Sequence, residues 1–335
     1  MRWTARIAST LLGPLVWILV SPGEASAWGP GTHVALSETV LSSLHLLPPA
    51  LRALLSRFPL HFIYGSVAAD ISLAKKYVPE GRHCHNWHVG REILDVATTD
   101  ALRAVGWGYL SHLAADTIAH NVFVPRRLLL TSTTQGLGHA YWEHRMDMHV
   151  GDDYMGKARR LVIQYDHSDA DELMDAVLSG TIFSFRTNRR IFRGMIRIQD
   201  AERWRQVFDR MLQNSRFDLP DDVVGRYMAI SFDHIVGYLR DGPQARAASM
   251  DPIGDLNLRL AKKVRRRVLS ADGMGDPQVL EEAANEFFPF PSEPLRYWPD
   301  RTTAPEGTKL LGAHVAGLGE GEPGPTELPQ SGGQK

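Results

Sequence analysis

The chain has 335 residues, with 37 Lys and Arg against 38 Asp and Glu, which gives a formal net charge of −1. This balance gives no electrostatic argument for a nucleic-acid partner. Cys84 is the one cysteine, so the fold cannot contain an internal disulfide and must be held by packing and by any bound metal. The length suits one large domain or two small ones, with enough residues to bury a substantial core.

The first 27 residues have the pattern of a secretory signal peptide. Arg2 and Arg6 precede an apolar run at residues 11–20, and Ala25-Ser26-Ala27 supplies the small residues of a cleavage site. The run is too short to span a bilayer, although an uncleaved anchor is an alternative. We therefore expect export to the periplasm or the medium, with Trp28 as the first residue of the mature chain. Its free α-amino group, with a pKa near neutrality, would be able to bind a metal ion.

Apolar residues recur at three- and four-residue spacing through most of the remaining sequence, which predicts an all-α, multi-helix bundle. Predicted helices span residues 32–46, 49–57, 89–97, 100–121, 138–165, 170–178, 189–213, 220–239 and 256–269. Residues 77–86 and 126–137 are predicted loops, the second because of its Thr and Gly content. From about residue 302 the chain is rich in Gly, Pro and Glu, and we expect this tail to be disordered. The predicted helical domain therefore spans residues 28–301.

Eleven of the fourteen histidines lie between His33 and His149. Within this region His112, Asp116 and His120 follow one another at four-residue steps, so on an α-helix they form one stripe that faces a single direction. Burying two imidazoles and a carboxylate without partners is costly, and metal coordination is one solution. The spacing therefore predicts a metal site against this helix.

Other metal-type side chains lie on both sides of this stripe. His139 and Glu143 form a second four-residue pair, which is a weak signal alone but fits a site between facing helices. Asp70 ends a run of small residues and is either a ligand or a helix cap. The first histidine after the predicted cleavage site, His33, follows Trp28 by five residues.

The segment from His83 to His88 is dense in donors but ambiguous. His83, Cys84, His85 and His88 each carry a donor atom, and the pattern predicts that one of them binds metal while the others are loop or rim residues. Cysteine that stands alone is more often a small buried residue than a ligand.

The ordered set of these residues resembles the zinc-dependent phospholipase C family. Its superfamily includes glycosylphosphatidylinositol-specific phospholipase D and the single-strand-specific zinc nucleases. The set is Trp28, His33, Asp70, His85, His112, Asp116, His120, His139 and Glu143. The resemblance covers residues 28–143. Three residues separate Asp116 from His120, as in the phospholipase D branch, whereas five separate their counterparts in the secreted bacterial phospholipases.

The resemblance implies an α-helical fold that binds up to three zinc ions. One ion would be held by Asp70, His85, His112 and Asp116. A second would be held by His120, His139 and Glu143. The third would be held by the amino nitrogen and carbonyl oxygen of Trp28 with His33, and Asp116 would bridge it to the first. The family pattern also assigns Asp70 a base role, and it favours His85, which precedes Trp87, with His88 as the alternative.

The implied activity is that of an exported zinc-dependent phosphodiesterase that hydrolyses phospholipid through attack of zinc-bound hydroxide on phosphorus. Its partner would be a phospholipid or another phosphodiester, with peripheral membrane contact as a further expectation. Two alternatives stay open: a zinc nuclease acting on single-stranded nucleic acid, which predicts a basic groove lined with aromatic residues, and a zinc-stabilised scaffold without turnover. The basic run at residues 262–267 is either a solvated helix face or a contact for anionic lipid. The sequence does not choose the headgroup, the bond that is cleaved or the oligomeric state, and residues after about 165 carry no recognisable chemistry.

Overall fold

The computed structural model describes residues 28–71, 82–131, 135–178, 184–199, 217–272, 276–292 and 294–298. These ranges contain helices, turns and no strand, so the all-α prediction is confirmed. In chain order the α-helices are α1 (Pro30–Ser42), α2 (Pro49–Arg57), α3 (Pro59–Ala68), α4 (Trp87–Asp95), α5 (Asp100–Ile118), α6 (Val124–Thr131), α7 (Gln135–Val150), α8 (Asp152–Gln164), α9 (Ser168–Val177), α10 (Phe185–Gln199), α11 (Asp221–Asp241), α12 (Asp255–Asp272) and α13 (Pro277–Phe287). Short 3₁₀ turns lie at Leu44–Leu46, Ala69–Ile71, Gly242–Gln244 and Arg246–Ser249, and a π-helical turn lies at Ala119–Phe123.

Helix α5 is the central element of the fold. It begins where the Thr99 hydroxyl accepts a hydrogen bond from the backbone N–H of Leu102, and α1, α3, α4 and α11 all pack against it. The backbones of α3 and α5 touch through two glycines: a Cβ atom at Gly65 would lie 2.0 Å from the carbonyl oxygen of Val105, and one at Gly108 would lie 2.0 Å from that of Phe62. Since no side chain separates the two helices, carbonyl groups of α3 come within reach of side chains on α5.

Three helices were not predicted by the sequence pattern: α3, α13 and α6, the last of which lies in a predicted loop. Both α3 and α13 begin with proline in the first turn, a position where proline fits because its missing N–H has no helical partner. Each then buries a full apolar face, with Phe62 and Tyr64 of α3 and Leu280 and Ala284 of α13 among the buried residues. Proline therefore marks the start of a helix at both sites, as Pro49 does at α2.

The predicted loop at residues 126–137 is wrong for residues 126–131 and 135–137, whereas residues 132–134 lie outside the described residues. Residues 124–131 are helix α6, whose Leu128 and Leu129 are buried, and α7 already begins at Gln135. Leu129 and Leu130 pack with residues of α12 and α13, whereas Leu128 belongs to the main core, and this burial outweighs the turn preference of the neighbouring Thr and Gly residues. The prediction of one helix over residues 138–165 is also wrong, because Gly151 at φ 110° ends α7 and separates it from α8.

The remaining helices agree with the predicted ones in existence, although their ends differ by a few residues. Several predictions lie outside the described residues: the signal peptide at 1–27, the tail from 302, residues 77–81 of the first loop and residues 200–213 of one helix. Residues 82–86 are non-helical, as predicted. Among the described helices, none has both the length and the apolar content needed to cross a bilayer.

Candidate metal centre

Asp116 lies at the centre of a buried cluster of imidazoles. Its side chain has no solvent exposure, and it sits one turn after His112 on α5, with 3.1 Å between His112 Nε2 and Asp116 Oδ2. His85 Nε2 lies 3.2 Å from the same oxygen, whereas His33 Nε2 lies 3.4 Å from Oδ1. The two carboxylate oxygens therefore face histidines on different sides.

His33 is positioned by the start of α1. Asp147 on α7 accepts hydrogen bonds from the backbone N–H groups of Gly31 and Thr32, at 3.2 and 2.8 Å, and from the Thr32 hydroxyl at 2.6 Å. This arrangement satisfies N–H groups that have no partner within the helix. It also fixes the first turn so that the His33 ring stacks on that of His112, with 4.0 Å between the ring centroids.

Trp28 is buried immediately before α1. Its indole N–H donates to the carbonyl oxygen of Ala115 at 3.2 Å, and its ring packs on Phe123 with 4.8 Å between the centroids. Ala115 directly precedes Asp116 on α5. Residue 28 is therefore anchored beside the helix segment that carries the cluster.

Asp70 and His85 complete the first group. Asp70 lies in the 3₁₀ turn that follows α3, and His85 lies in the turn before α4; both are buried, with 3.4 Å between His85 Nε2 and Asp70 Oδ1. The Tyr109 hydroxyl of α5 donates to the carbonyl oxygen of Cys84 at 2.6 Å, which fixes this turn against the central helix. His112 Nε2 lies 2.9 Å from His85 Nε2 and 3.9 Å from Asp70 Oδ1.

The structure distinguishes the donors of the segment from His83 to His88. His85 is 1% exposed and faces Asp116, whereas His88 is exposed on α4. His83 is half-buried, and its Nδ1 accepts a hydrogen bond from the backbone N–H of His85 at 3.1 Å. Donor atoms of His83, Cys84 and His85 do lie within 4.8 Å of one another, but the first two do not reach the Asp116 cluster.

Backbone carbonyl groups set the orientation of two histidines. His112 Nδ1 lies 2.8 Å from the carbonyl oxygen of Ser66, and His120 Nδ1 contacts that of Pro252. A carbonyl oxygen only accepts, so each Nδ1 carries a proton, and in the neutral imidazole Nε2 is then the atom with a free lone pair. Metal-binding histidines are characteristically held in this way, with the second ring nitrogen bonded to a carbonyl or carboxylate group.

His120 departs from the α-helical stripe predicted for His112, Asp116 and His120. The helix changes to a π-helical turn at Ala119–Phe123, so the step from Asp116 to His120 is not a regular α-helical one. Such turns widen a helix locally and occur often at functional sites. The turn brings His120 to the Pro252 carbonyl and toward His139, with 5.3 Å between the two ring centroids.

His139 and Glu143 lie one turn apart on α7, with 3.0 Å between His139 Nε2 and Glu143 Oε1. His139 and Glu143 form a second group beside the first. His120 lies between the two groups, since its ring is 6.2 Å from that of His85 and 5.3 Å from that of His139. Side chains from α5, its π-helical turn and α7 thus converge on the same region of the core.

The segment after α11 contributes to the site, which the sequence analysis did not anticipate. Gly254 has φ 62°, and a Cβ atom there would lie 2.5 Å from His120 Cβ. Nearby, Asn121 donates to the carbonyl oxygen of Asp251 at 2.7 Å and accepts from Asn257 at 2.7 Å. These contacts are made mostly by backbone atoms, which any residue type would supply. The only sequence signal here was therefore Pro-Ile-Gly at residues 252–254, which indicates a turn.

The charges of the cluster follow from burial and from neighbouring rings. Burial alone would raise the pKa of Asp116, but the surrounding histidines, His112 foremost, hold that pKa well below its usual value. Burial lowers the pKa of His120 to about 3 and also lowers the pKa of His33. At neutral pH the cluster therefore holds the ionised carboxylate of Asp116 beside the neutral imidazoles of His33 and His120, the protonation states in which these groups bind metal.

The donor set fits zinc. The buried Nε2 atoms of His33 and His120 make no hydrogen bond within the part of the chain that the structure describes. Leaving a buried polar group unpaired costs about 1–3 kcal/mol, so two such atoms aimed into one cluster require a partner. Imidazole nitrogens and carboxylate oxygens are ligands typical of zinc, whereas oxygen-only sites suit magnesium or calcium.

The fold and the site together define an all-α protein with a buried cluster of imidazole and carboxylate groups suited to metal. The sequence profile of zinc-dependent phospholipase C matches residues 32–188. The match over this segment supports the zinc-dependent phospholipase C family and, with it, a zinc-dependent hydrolase. Searches among curated proteins and among solved structures find no significant match.

Proposed function

We propose that this chain is an exported, zinc-dependent phosphodiesterase that hydrolyses phospholipids after removal of residues 1–27. The observation that carries the proposal is the contact of Asp116 with three histidines from separate elements: His33 from α1, His85 from the turn before α4 and His112 from α5. These contacts occur inside the segment that matches the family.

We further propose the ligand sets implied by the resemblance. Asp70, His85, His112 and Asp116 would hold one ion, and His120, His139 and Glu143 a second. Support for Asp116 as a bridge comes from its two oxygens, since Oδ1 faces His33 while Oδ2 faces His85 and His112. The buried position of Trp28 beside Ala115 supports a third set made of the freed α-amino group, the Trp28 carbonyl and His33.

Zinc bound here would lower the pKa of a coordinated water and neutralise charge on a phosphodiester. The protein groups have separate tasks. Burial of the cluster excludes bulk water, which strengthens every charge interaction within it. The Ser66 and Pro252 carbonyls hold the rings of His112 and His120 in one tautomer. Asp70 is proposed to accept the proton of the attacking water at a carboxylate oxygen, because it is a buried carboxylate at the edge of the group.

The test is hydrolysis by the purified protein of phosphatidylcholine and, in parallel, of single-stranded DNA, with identification of the products. We expect release of a phosphorylated headgroup from lipid, and loss of at least about 10³-fold in rate for Asp116→Ala, because several kcal/mol of transition-state stabilisation by metal are removed. Asp100→Ala, an exposed change at the start of the same helix, is the matched control and should retain activity.

Phosphatidic acid as product would keep the phosphodiesterase but contradict the expected phosphorylated headgroup, because it indicates cleavage on the other side of phosphorus. Two further results would contradict the proposal itself. Nucleotide release without lipid hydrolysis would favour the nuclease. Full activity of the Asp116→Ala variant would exclude the assigned site.

A further inference from the structure

The basic run at residues 262–267 is divided by the structure into two parts. Arg265 is buried and donates to the carbonyl oxygen of Leu129, so it fastens α12 to α6. Lys263, Arg266 and Arg267 are exposed on the other side of α12. None of these three forms an ion pair with any residue that the structure describes. Among the described residues, then, no acidic side chain pairs with these three surface cations, in a chain whose overall charge is −1.

The exposed residues of α12 form one continuous face. It contains Leu256, Arg259, Lys263, Arg266, Arg267 and Ser270. At about 100° per residue these positions fall within an arc of roughly 100°, and from Leu256 to Arg267 they extend about 16 Å along the axis. The opposite side, with Ala261 and Val264, packs against Leu280 and Ala284 of α13. The exposed acids Glu282 and Glu286 belong to α13 and do not lie on this face.

The N-terminal end of this face lies beside the metal centre. Gly254, whose backbone touches His120, is followed at once by α12, and Leu256 is the second residue of that helix. Leu256 is 76% exposed, the largest exposed fraction among the large apolar side chains described. The α12 face therefore begins with an apolar side chain near the cluster and continues as a row of cations away from it.

We propose that the α12 face docks the protein on the surface of an anionic phospholipid bilayer, with Leu256 entering the headgroup region next to the metal centre. Charge complementarity selects this partner, because clustered Lys and Arg side chains next to an exposed apolar residue are attracted to the negative surface potential of such a bilayer. This docking rests on the proposed function, because phospholipid hydrolysis is the reason for a lipid surface to approach the metal centre.

Binding is tested by sedimentation of the full chain with vesicles of phosphatidylcholine alone or with about 30% phosphatidylserine, at low and high salt. We expect binding that requires the anionic lipid and weakens with salt. Lys263→Gln, Arg266→Gln and Arg267→Gln combined should weaken it about 100-fold, from about fivefold per cation. Leu256→Ser should weaken it about tenfold through lost apolar burial.

The matched control carries the same charge change at exposed cations elsewhere: Arg52→Gln on α2, Arg160→Gln on α8 and Arg190→Gln on α10. It should keep the affinity of the unchanged protein. Equal loss in both triple variants, binding without anionic lipid, or single-stranded DNA that binds more tightly than vesicles would each overturn the docking proposal.

A soluble short-chain phospholipid separates this proposal from the proposed function. The α12 triple variant should hydrolyse the soluble substrate at the unchanged rate and hydrolyse vesicles more slowly. If the unchanged protein binds anionic vesicles through α12 but hydrolyses neither substrate, the docking surface stands and the proposed function fails.

Discussion

Two buried aspartates, both next to α3, have opposite surroundings. Asp171 on α9 accepts a hydrogen bond from the Tyr64 hydroxyl at 2.6 Å through one oxygen and pairs with the Arg189 guanidinium through the other. Asp116 on α5 is surrounded by imidazoles, and within the described residues no Arg or Lys side chain forms an ion pair with it. Helix α3 supplies Tyr64 to the first site and the Ser66 carbonyl to the second.

The Asp171 site is a structural polar site, whereas the Asp116 site needs an external ligand. At Asp171, hydrogen-bond donors and a fixed cation meet the carboxylate, so the charge is compensated within the protein. At Asp116, the partners within the described residues are histidine rings, and no Arg or Lys side chain compensates the carboxylate. A buried polar residue alone therefore does not indicate a function. What indicates one is whether its neighbours compensate its charge and satisfy its hydrogen bonds.

Exchanging each aspartate for asparagine tests this difference directly. Asp171→Asn leaves Arg189 buried without its anion, and we expect the free energy of unfolding to fall by about 3–5 kcal/mol with or without zinc. Asp116→Asn should lower it more in the presence of zinc than in excess chelator, where only the contacts of the carboxylate with its histidines are lost. The measurement is urea unfolding under both conditions. If Asp116→Asn were as destabilising in chelator as Asp171→Asn, the Asp116 site would be an ordinary structural one.

Two glycines with positive φ, one at the edge of the metal centre and one away from it, allow a second test of the site. Gly254 and Gly242 have φ 62° and 56°, so alanine at either pays a left-handed backbone cost of about 1–2 kcal/mol. A Cβ atom at Gly254 would also meet His120, whereas one at Gly242 would meet nothing within 4 Å. We expect Gly254→Ala to cost about 3 kcal/mol in total and to weaken zinc affinity about 10- to 100-fold through the displaced ring. Equal zinc affinity for both alanine variants would show that the Pro252 and Gly254 segment does not position His120.

His234 provides the smallest predicted effect and concerns a histidine outside the metal centre. Its Nδ1 donates to the Thr117 hydroxyl at 2.8 Å, because that hydroxyl donates in turn to the carbonyl oxygen of Ala114. Burial, with a contribution from Arg246, lowers the pKa of His234 to about 4 from its usual 6.5. The unfolded chain therefore binds the proton first as the pH falls, and stability present above pH 6.5 is lost toward pH 4.

From pH 7 to pH 5 this single group should account for about 2 kcal/mol of lost stability. His234→Asn keeps a donor near Nδ1 but does not titrate, so its unfolding free energy should fall less over this range. Unfolding in chelator at both pH values measures the difference without a contribution from metal binding. An identical pH dependence in the variant would contradict the lowered pKa.

The sequence could predict those parts of the site that depend on local spacing. The steps from His112 to Asp116 and from His139 to Glu143 lie within single helices, so their shared faces follow from helical geometry. The same four-residue spacing continues from Glu143 to Asp147, the residue that fixes the start of α1. The π-helical turn at His120 was not predictable in this way, because a four-residue step has the same sequence pattern in either type of turn.

Long-range backbone contacts explain most of what the sequence missed. The carbonyl that holds His112 comes from a residue 46 positions away, and the one that holds His120 comes from 132 positions away. Neither depends on a side chain that could be recognised. In the fold, α3 and α13 were missed for the related reason that burial, visible only after packing, decided them.

The most direct test is the zinc content of the purified full chain, measured by elemental analysis after dialysis, together with its melting temperature before and after EDTA. We expect at least one zinc ion per chain and a lower melting temperature after chelation. The melting temperature should recover when zinc is added back. A protein that retains no zinc, and whose melting temperature responds neither to EDTA nor to added zinc, would contradict a metal centre at Asp116.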